Sequence, residues 1–231
     1  MSKRAHRSPA APRRALAALL PGLLLLGGCT TAYYGAMEQI GREKRHILAS
    51  RVEASREEQG EAQEEFQSAY ERFQAVTDYD GGDVEKVYRE LADALDRSER
   101  KAERVSDRIA AVEQVAGDLF AEWQSELDEI QNASLRRQSA QSLRETRARY
   151  DTLLRAMQRA ESRMDPVLQA FRDQVLFLKH NLNARAIASL EGTVGAIEGD
   201  VRSLLDELGR AIQEADSFLA TLEGQPAGQA R

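Results

Sequence analysis

The chain has 231 residues, 42% hydrophobic and 30% charged, with 15 Gly, 5 Pro and a formal net charge of −6 at pH 7. That length allows one or two domains, and so little Pro and Gly excludes a collagenous or low-complexity disordered chain. The single cysteine, Cys29, excludes an intramolecular disulfide and any multi-thiolate zinc or iron–sulfur site, and His6, His46 and His180 lie too far apart in sequence for a local metal motif.

Residues 1–28 hold Lys3, Arg4, Arg7, Arg13 and Arg14 and no Asp or Glu. Ala15 to Leu26 then run almost purely in Ala and Leu, broken by Pro21-Gly22, and the stretch ends Leu26-Gly27-Gly28-Cys29. A basic head, about a dozen apolar residues and a small-residue end form the layout of a secretory signal peptide. The run is shorter than the ~20 apolar residues that a spanning helix needs. Its ending resembles the lipobox of bacterial lipoproteins, in which a Leu and two small residues precede a cysteine. The resemblance implies transfer of a diacylglycerol to the Cys29 thiol, cleavage before Cys29 and acylation of its new amine, with fatty chains such as palmitate. Each buried methylene contributes about 0.8 kcal/mol to such an anchor. In that class an Asp after the cysteine retains the protein at the inner membrane. Thr30 stands there instead, which implies the outer membrane, with the protein facing the periplasm. Residues 1–28 carry five of the 32 basic residues and none of the 38 acidic ones, so the remainder holds 27 against 38, a net −11. A chain this acidic is a poor general partner for nucleic acid or anionic lipid.

Beyond Tyr33 the apolar positions recur at three and four residues, the helical period, with no alternating strand pattern of useful length. Leu48, Val52, Ser55, Gln59, Ala62, Phe66, Ala69, Phe73 and Val76 make a first seam. The turn Asp78-Tyr79-Asp80-Gly81-Gly82-Asp83 ends that helix at Gly81-Gly82, and Asp83 caps the next. A second seam runs from Val84 through Val87, Leu91, Ala94, Ser98, Ala102, Val105, Ile109, Val112, Ala116 and Leu119 to Trp123. Asn132-Ala133-Ser134 is the next break. The third seam links Leu135, Thr146, Tyr150, Leu153, Met157, Ala160, Met164, Leu168, Phe171, Val175 and Leu178. It keeps its phase through Pro166, which predicts one helix bent there and closed by a last turn at His180-Asn181-Leu182-Asn183. The fourth seam takes Ile187, Leu190, Val194, Ile197, Val201, Leu204, Leu208, Ala211, Ala215, Phe218 and Leu222. Gly192, Gly195, Gly199 and Gly209 weaken that helix by about 1 kcal/mol each relative to Ala, either for close helix approach or to leave it mobile. Pairs four apart, Glu85/Arg89, Asp93/Arg97, Glu145/Arg149 and Asp151/Arg155, support the outer faces.

The pattern predicts an all-α chain: an elongated antiparallel up-down bundle of about four long, coiled-coil-like helices, preceded by a signal peptide. The expected division is a signal peptide at 1–28, a lipidated N-terminus and short tether at 29–35, a bundle domain at 36–222 and a disordered tail at 223–231.

No Walker loop, HExxH, GxSxG or Gly-rich dinucleotide turn occurs, and the expected protein is not an enzyme and needs no cofactor. Asp78, Asp80 and Asp83 offer oxygens to a cation but lack the ligand ladder of an EF-hand, so no metal is expected. Lys179, His180, Asn181 and Asn183 concentrate polar groups at a helix end and form the candidate ligand or partner contact; capping is the alternative. Trp123 falls on a seam and reads as core.

The mature stretch is similar to a family of uncharacterised proteobacterial proteins, known as a domain of unknown function (the 2959 family) and often predicted to be lipoproteins. The similarity rests on YYGAMEQIGREKRHILASRVEASREEQ at 33–59, FQSAYERF at 66–73, GGDVEKVY at 81–88, RIAAVEQVAGDLFAEWQSEL at 108–127 and MDPVLQAFRDQVLFLKHNLNARAIASL at 164–190. It brings no catalytic residues. Together these readings predict a non-enzymatic envelope structural or interaction factor. Its anchor is the membrane, through lipid on Cys29, and its partner is an envelope protein or itself. A ligand- or substrate-binding accessory lipoprotein is the first alternative. A cytoplasmic coiled-coil factor linked to nucleic acid is the second, and it requires residues 1–28 to be retained.

Overall fold

A computed structural model describes residues 28–76 and 83–224. Residues 1–27, on which nearly all of the expected signal peptide falls, residues 77–82 with Asp78 and Asp80, and residues 225–231, on which most of the expected tail falls, lie outside the described residues. The chain divides into two compact units, Met1–Gln39 and Ile40–Arg231. Of the first unit, residues 28–39 are helical.

Four helices follow one another: α1 (Gly28–Ala75), α2 (Val84–Glu129), α3 (Ala133–His180) and α4 (Ala184–Gly224). At 1.5 Å per residue they measure roughly 60–70 Å each. α1 already contains Cys29 and the stretch 29–35. It ends at Ala75, earlier than the Gly81-Gly82 stop that the sequence suggests. The seam explains the difference: Val76 is its last buried apolar residue, and the next place in phase is Asp80.

Starts are set by capping side chains. The Asp83 carboxylate accepts from the N–H groups of Glu85 (3.0 Å) and Lys86 (3.4 Å). The Asn132 amide oxygen accepts from those of Ser134 (2.9 Å) and Leu135 (3.2 Å). Each satisfies helix-end donors that have no partner within the helix. α3 runs through Pro166 without a break. Pro166 is exposed, and so is Ser162, whose carbonyl loses its usual donor to the proline ring. Buried Met164, Val167 and Leu168 hold the helix on the other side.

Within the second unit, contacts fix the helix directions. Lys44 pairs with Glu122 (3.0 Å) and Arg97 with Glu65 (3.0 Å), so α1 and α2 are antiparallel. Gln158 donates to Glu113 (2.7 Å) and Trp123 to Ser139 (2.9 Å), which runs α3 back along α2. Arg149 donates to Thr221 (2.6 Å) and Arg159 pairs with Glu207 (3.3 Å), reversing α4 against α3. α4 also touches α1, where Gln63 donates to the Leu205 carbonyl (3.1 Å).

All nine positions of the first seam are buried, including polar Ser55 and Gln59. Ser55 donates to the Met157 sulfur (3.8 Å) and accepts from Gln59 (3.1 Å). Tyr150 joins three helices, with Phe120 edge-on at 5.3 Å and Phe218 at 6.3 Å. Burial, aided by the charges of Glu113 and Asp151, pushes its phenol up to about 12.

Several side chains depart from the expected pattern. Leu135 is 55% exposed. Arg149 already faces Thr221, so α4 ends at Gly224 before it can cover the first turns of α3. Ala102 is half-buried while neighbouring Lys101 is buried. Of the four expected surface pairs only Glu85/Arg89 forms among the described residues. Arg97 turns to Glu65 on α1, Arg149 to Thr221 on α4, and Arg155 to Thr152. The first two take a partner on a facing helix, and of these the Arg97–Glu65 contact is partly shielded from water.

Candidate functional site

The α3–α4 corner gathers the polar run singled out from the sequence, although not as one open site. α3 stops at His180, so of the expected last turn at 180–183 only His180 is helical and 181–183 form a connection. The Asn181 N–H donates to the Leu178 carbonyl (3.0 Å), and its side-chain amide donates to the Phe177 carbonyl (2.9 Å). Both carbonyls are helix-end acceptors that would otherwise lack partners. Asn183 performs the complementary task, its side-chain oxygen accepting from the Ala186 N–H at 3.0 Å. Two of the four candidates are thus occupied in ending one helix and starting the next. Lys179 and His180 are exposed on the final turn of α3.

Around this corner the surface is apolar. Leu176, Phe177 and Leu182 are 46%, 40% and 48% exposed, three of the five large hydrophobic side chains that stand out in water among the described residues. One to two turns along the helices lies a half-open cavity of about 450 Å³ between α3 and α4. Ala170, Gln174 and Phe177 wall it from α3, and Leu190, Ala196 and Ile197 from α4. Small side chains line it on both helices, Ala170 on α3 and Ser189 and Ala196 on α4, where bulky ones would close the seam.

Polar groups sit at chosen places on these walls. The hydroxyls of Ser189 and Thr193 donate to the carbonyls of Arg185 (2.9 Å) and Leu190 (2.8 Å). The Asp173 carboxylate accepts from Gln169 (2.7 Å). Gln174 differs: it is only 5% exposed, and its side-chain oxygen has no hydrogen-bond partner. Sequence periodicity does not find this cavity, since a gap is made by small residues and not by a motif. The polar Gln174 on a buried face was the one available signal.

Two further clusters are structural. Lys101 and Glu58, each 10% exposed at the side chain, pair at 2.8 Å between α2 and α1, with Glu61 (2.5 Å) also on Lys101 and Arg104 (2.9 Å) also on Glu58. Trp123 is 8% exposed and donates to Ser139, with the Arg45 guanidinium 4.4 Å above its ring. It is core, as its seam position predicts. Beside it, burial raises the Glu126 carboxyl, the charges of Glu122 and Glu129 add to this, and Arg45 and Lys44 oppose it. Among the described residues no three His, Cys, Asp or Glu side chains are grouped to hold a metal ion, and no helix is long and apolar enough to cross a membrane.

Fold and site define an all-α protein whose helices pack on a common core, with a capped corner and an apolar cavity beside it. A family model described as "Protein of unknown function (DUF2959)" matches residues 33–222, and the chain belongs to that family. Comparison with curated proteins and with solved structures finds no match.

Proposed function

We propose that the chain is a lipid-anchored protein of the Gram-negative envelope, held by acyl chains on Cys29 at the periplasmic face of the outer membrane. There it serves as a non-enzymatic structural or interaction factor, its helices forming an up-down bundle. One observation carries this reading: a basic head and a short apolar run end in Leu26-Gly27-Gly28-Cys29, at the single cysteine of the chain. The net charge of −11 beyond residue 28 speaks against a nucleic-acid role. Long seams with few polar side chains inside favour a scaffold that offers helix faces to an envelope protein or a second copy.

The test is the intact mass of the protein purified from membranes, compared with a Cys29→Ala variant. A species beginning at acylated Cys29, confined to the membrane and lost in the variant, is the expected result. Full-length, unmodified protein in the cytosol would overturn the anchor and revive the cytoplasmic alternative.

A further inference from the structure

We infer that the outward face of the last turns of α3 pairs with the same face of a second copy of this chain, the two helices antiparallel about a two-fold axis between Leu176 and Phe177. The inference rests on the reading of the chain as an interaction factor and names its partner. It needs no lipid on Cys29.

Residues three and four apart share a helix face. On α3 this sets Gln169, Asp173, Leu176, Phe177 and His180 in one stripe, and all five are exposed. Farther back, Arg144, Arg155 and Ser162 stand exposed on the same face. Leu176 and Phe177, 46% and 40% exposed, therefore interrupt a polar surface with two adjacent large apolar side chains. Apolar surface placed like this is stabilised by being covered.

The polar groups beside the pair select what covers it. Asp173 stands one turn before it and His180 one turn after, equally far from the midpoint of 176 and 177. A two-fold axis makes a contact self-complementary: residue i meets j wherever j meets i. Antiparallel pairing about that midpoint sets Leu176 of each copy against Phe177 of the other, and Asp173 of each against His180 of the other. Among the described residues the Asp173 carboxylate accepts only from Gln169 (2.7 Å), and the His180 ring has no partner. An imidazole N–H donates to a carboxylate whether the ring is charged or neutral. A parallel pair would instead bring Asp173 against Asp173, like charge against like. An anionic lipid surface would meet Asp173 with the same repulsion.

The experiment uses residues 30–231, which retain every buried core residue among those described and contain no cysteine. Sedimentation should show a concentration-dependent dimer. Asp173→Ala deletes one hydrogen bond at each of two symmetric places, each worth about fivefold, and should weaken the dimer about 25-fold. Disulfide trapping reads the direction. Asp173→Cys and His180→Cys chains, mixed and oxidised, should cross-link to each other, with the second Asp173–His180 bond still intact. Either variant alone should not, because its two cysteines lie seven residues, about 10 Å, apart along the helices. Both positions are exposed, so melting temperatures of the variants should match the parent's. A parent chain that stays monomeric at about 1 mM would overturn the proposal. So would an Asp173→Ala dimer as tight as the parent's, or cross-linking of either cysteine variant alone as strong as that of the mixture. A monomer that pellets with phosphatidylglycerol vesicles, and ceases to when Leu176 and Phe177 are changed to Ser, would overturn it in favour of a lipid surface. Each of these failures leaves the test of Cys29 untouched, because residues 30–231 lack the acylation site.

Discussion

The ring of Phe73 on α1 lies flat against that of Phe171 on α3, centroids 4.3 Å apart and planes 4° from parallel. The two helices are not consecutive in the chain and run in the same direction, so this contact crosses the middle of the core instead of following a neighbour. Both rings are fully buried. Phe171→Ala removes one face of the stack and leaves a cavity that the surrounding helices fill only in part. The expected loss is about 3–5 kcal/mol, measured by urea unfolding of residues 30–231. A loss below about 1 kcal/mol would mean that α1 does not pack on α3 as described.

Lys101 and Glu58 make stability depend on pH in a defined way. Burial opposes the Glu58 charge, but hydrogen bonds from Lys101 and Arg104 outweigh it and hold the carboxyl below its usual value. Burial likewise opposes the Lys101 charge, and bonds from Glu58 and Glu61 raise it above its usual value. The Glu58 contribution is therefore complete above the unfolded carboxyl pKa and lost as pH falls through the lower folded value. That of Lys101 is complete below the unfolded lysine pKa and lost as pH rises through the higher folded one. Glu58→Gln leaves Lys101 buried with only the exposed Glu61, at a cost of about 3 kcal/mol at pH 7. Urea midpoints between pH 7 and pH 3 should converge for the variant and the parent, and parallel curves would refute the assignment.

Asn183 and its neighbours separate capping from recognition. Asn183→Ala removes the oxygen that receives the Ala186 N–H and should cost about 1 kcal/mol. Lys179→Ala and His180→Ala alter exposed side chains and should stay within about 0.5 kcal/mol. Thermal unfolding of the three variants side by side checks this; equal losses in all three would mean that the corner is held as a unit.

Legibility in the sequence followed the period of the helix. Where burial and apolar spacing coincide, as from Leu48 to Val76, the seam could be read residue by residue. Lys101 escaped because its charge places it outside any apolar pattern, and the facing Glu58 and Glu61, 43 and 40 residues away, make its burial tolerable. Leu135 misled for the opposite reason: it has the right spacing, but α4 ends before reaching it. The polar run at 179–183 was visible as composition, yet its division into a helix stop and a helix start depends on which carbonyls and N–H groups lack partners. The cavity was invisible because it is defined by what Ala170 and Ala196 do not fill.

Glycines in the helices offer stability that the fold does not use. A Cβ added at Gly117 or Gly199 would have no atom within 4 Å, and one at Gly209 would meet only the Gln63 side chain at 3.6 Å, an ordinary contact. Close helix approach is therefore not the reason for Gly199, whichever role the others have. Gly117→Ala and Gly199→Ala should each add about 0.5–1 kcal/mol by relieving the backbone entropy cost of glycine. Their double variant should show the sum, since they lie on different helices. A decrease in melting temperature for either would require a neighbour at that face.

Glu126 should behave in the opposite sense to Glu58. Burial, reinforced by Glu122 and Glu129, raises its folded pKa above the unfolded value. Between those two values the folded chain holds a proton that the unfolded chain releases, so stability falls as pH rises through that window. Above it the folded state carries a constant disadvantage from the ionised, half-buried carboxylate. Glu126→Gln removes the charge and keeps the shape, so the variant should unfold at higher urea than the parent at pH 7. The difference should close as pH drops below the unfolded carboxyl pKa. A variant less stable than the parent at pH 7 would show instead that attraction to Arg45 and Lys44 outweighs burial at this site.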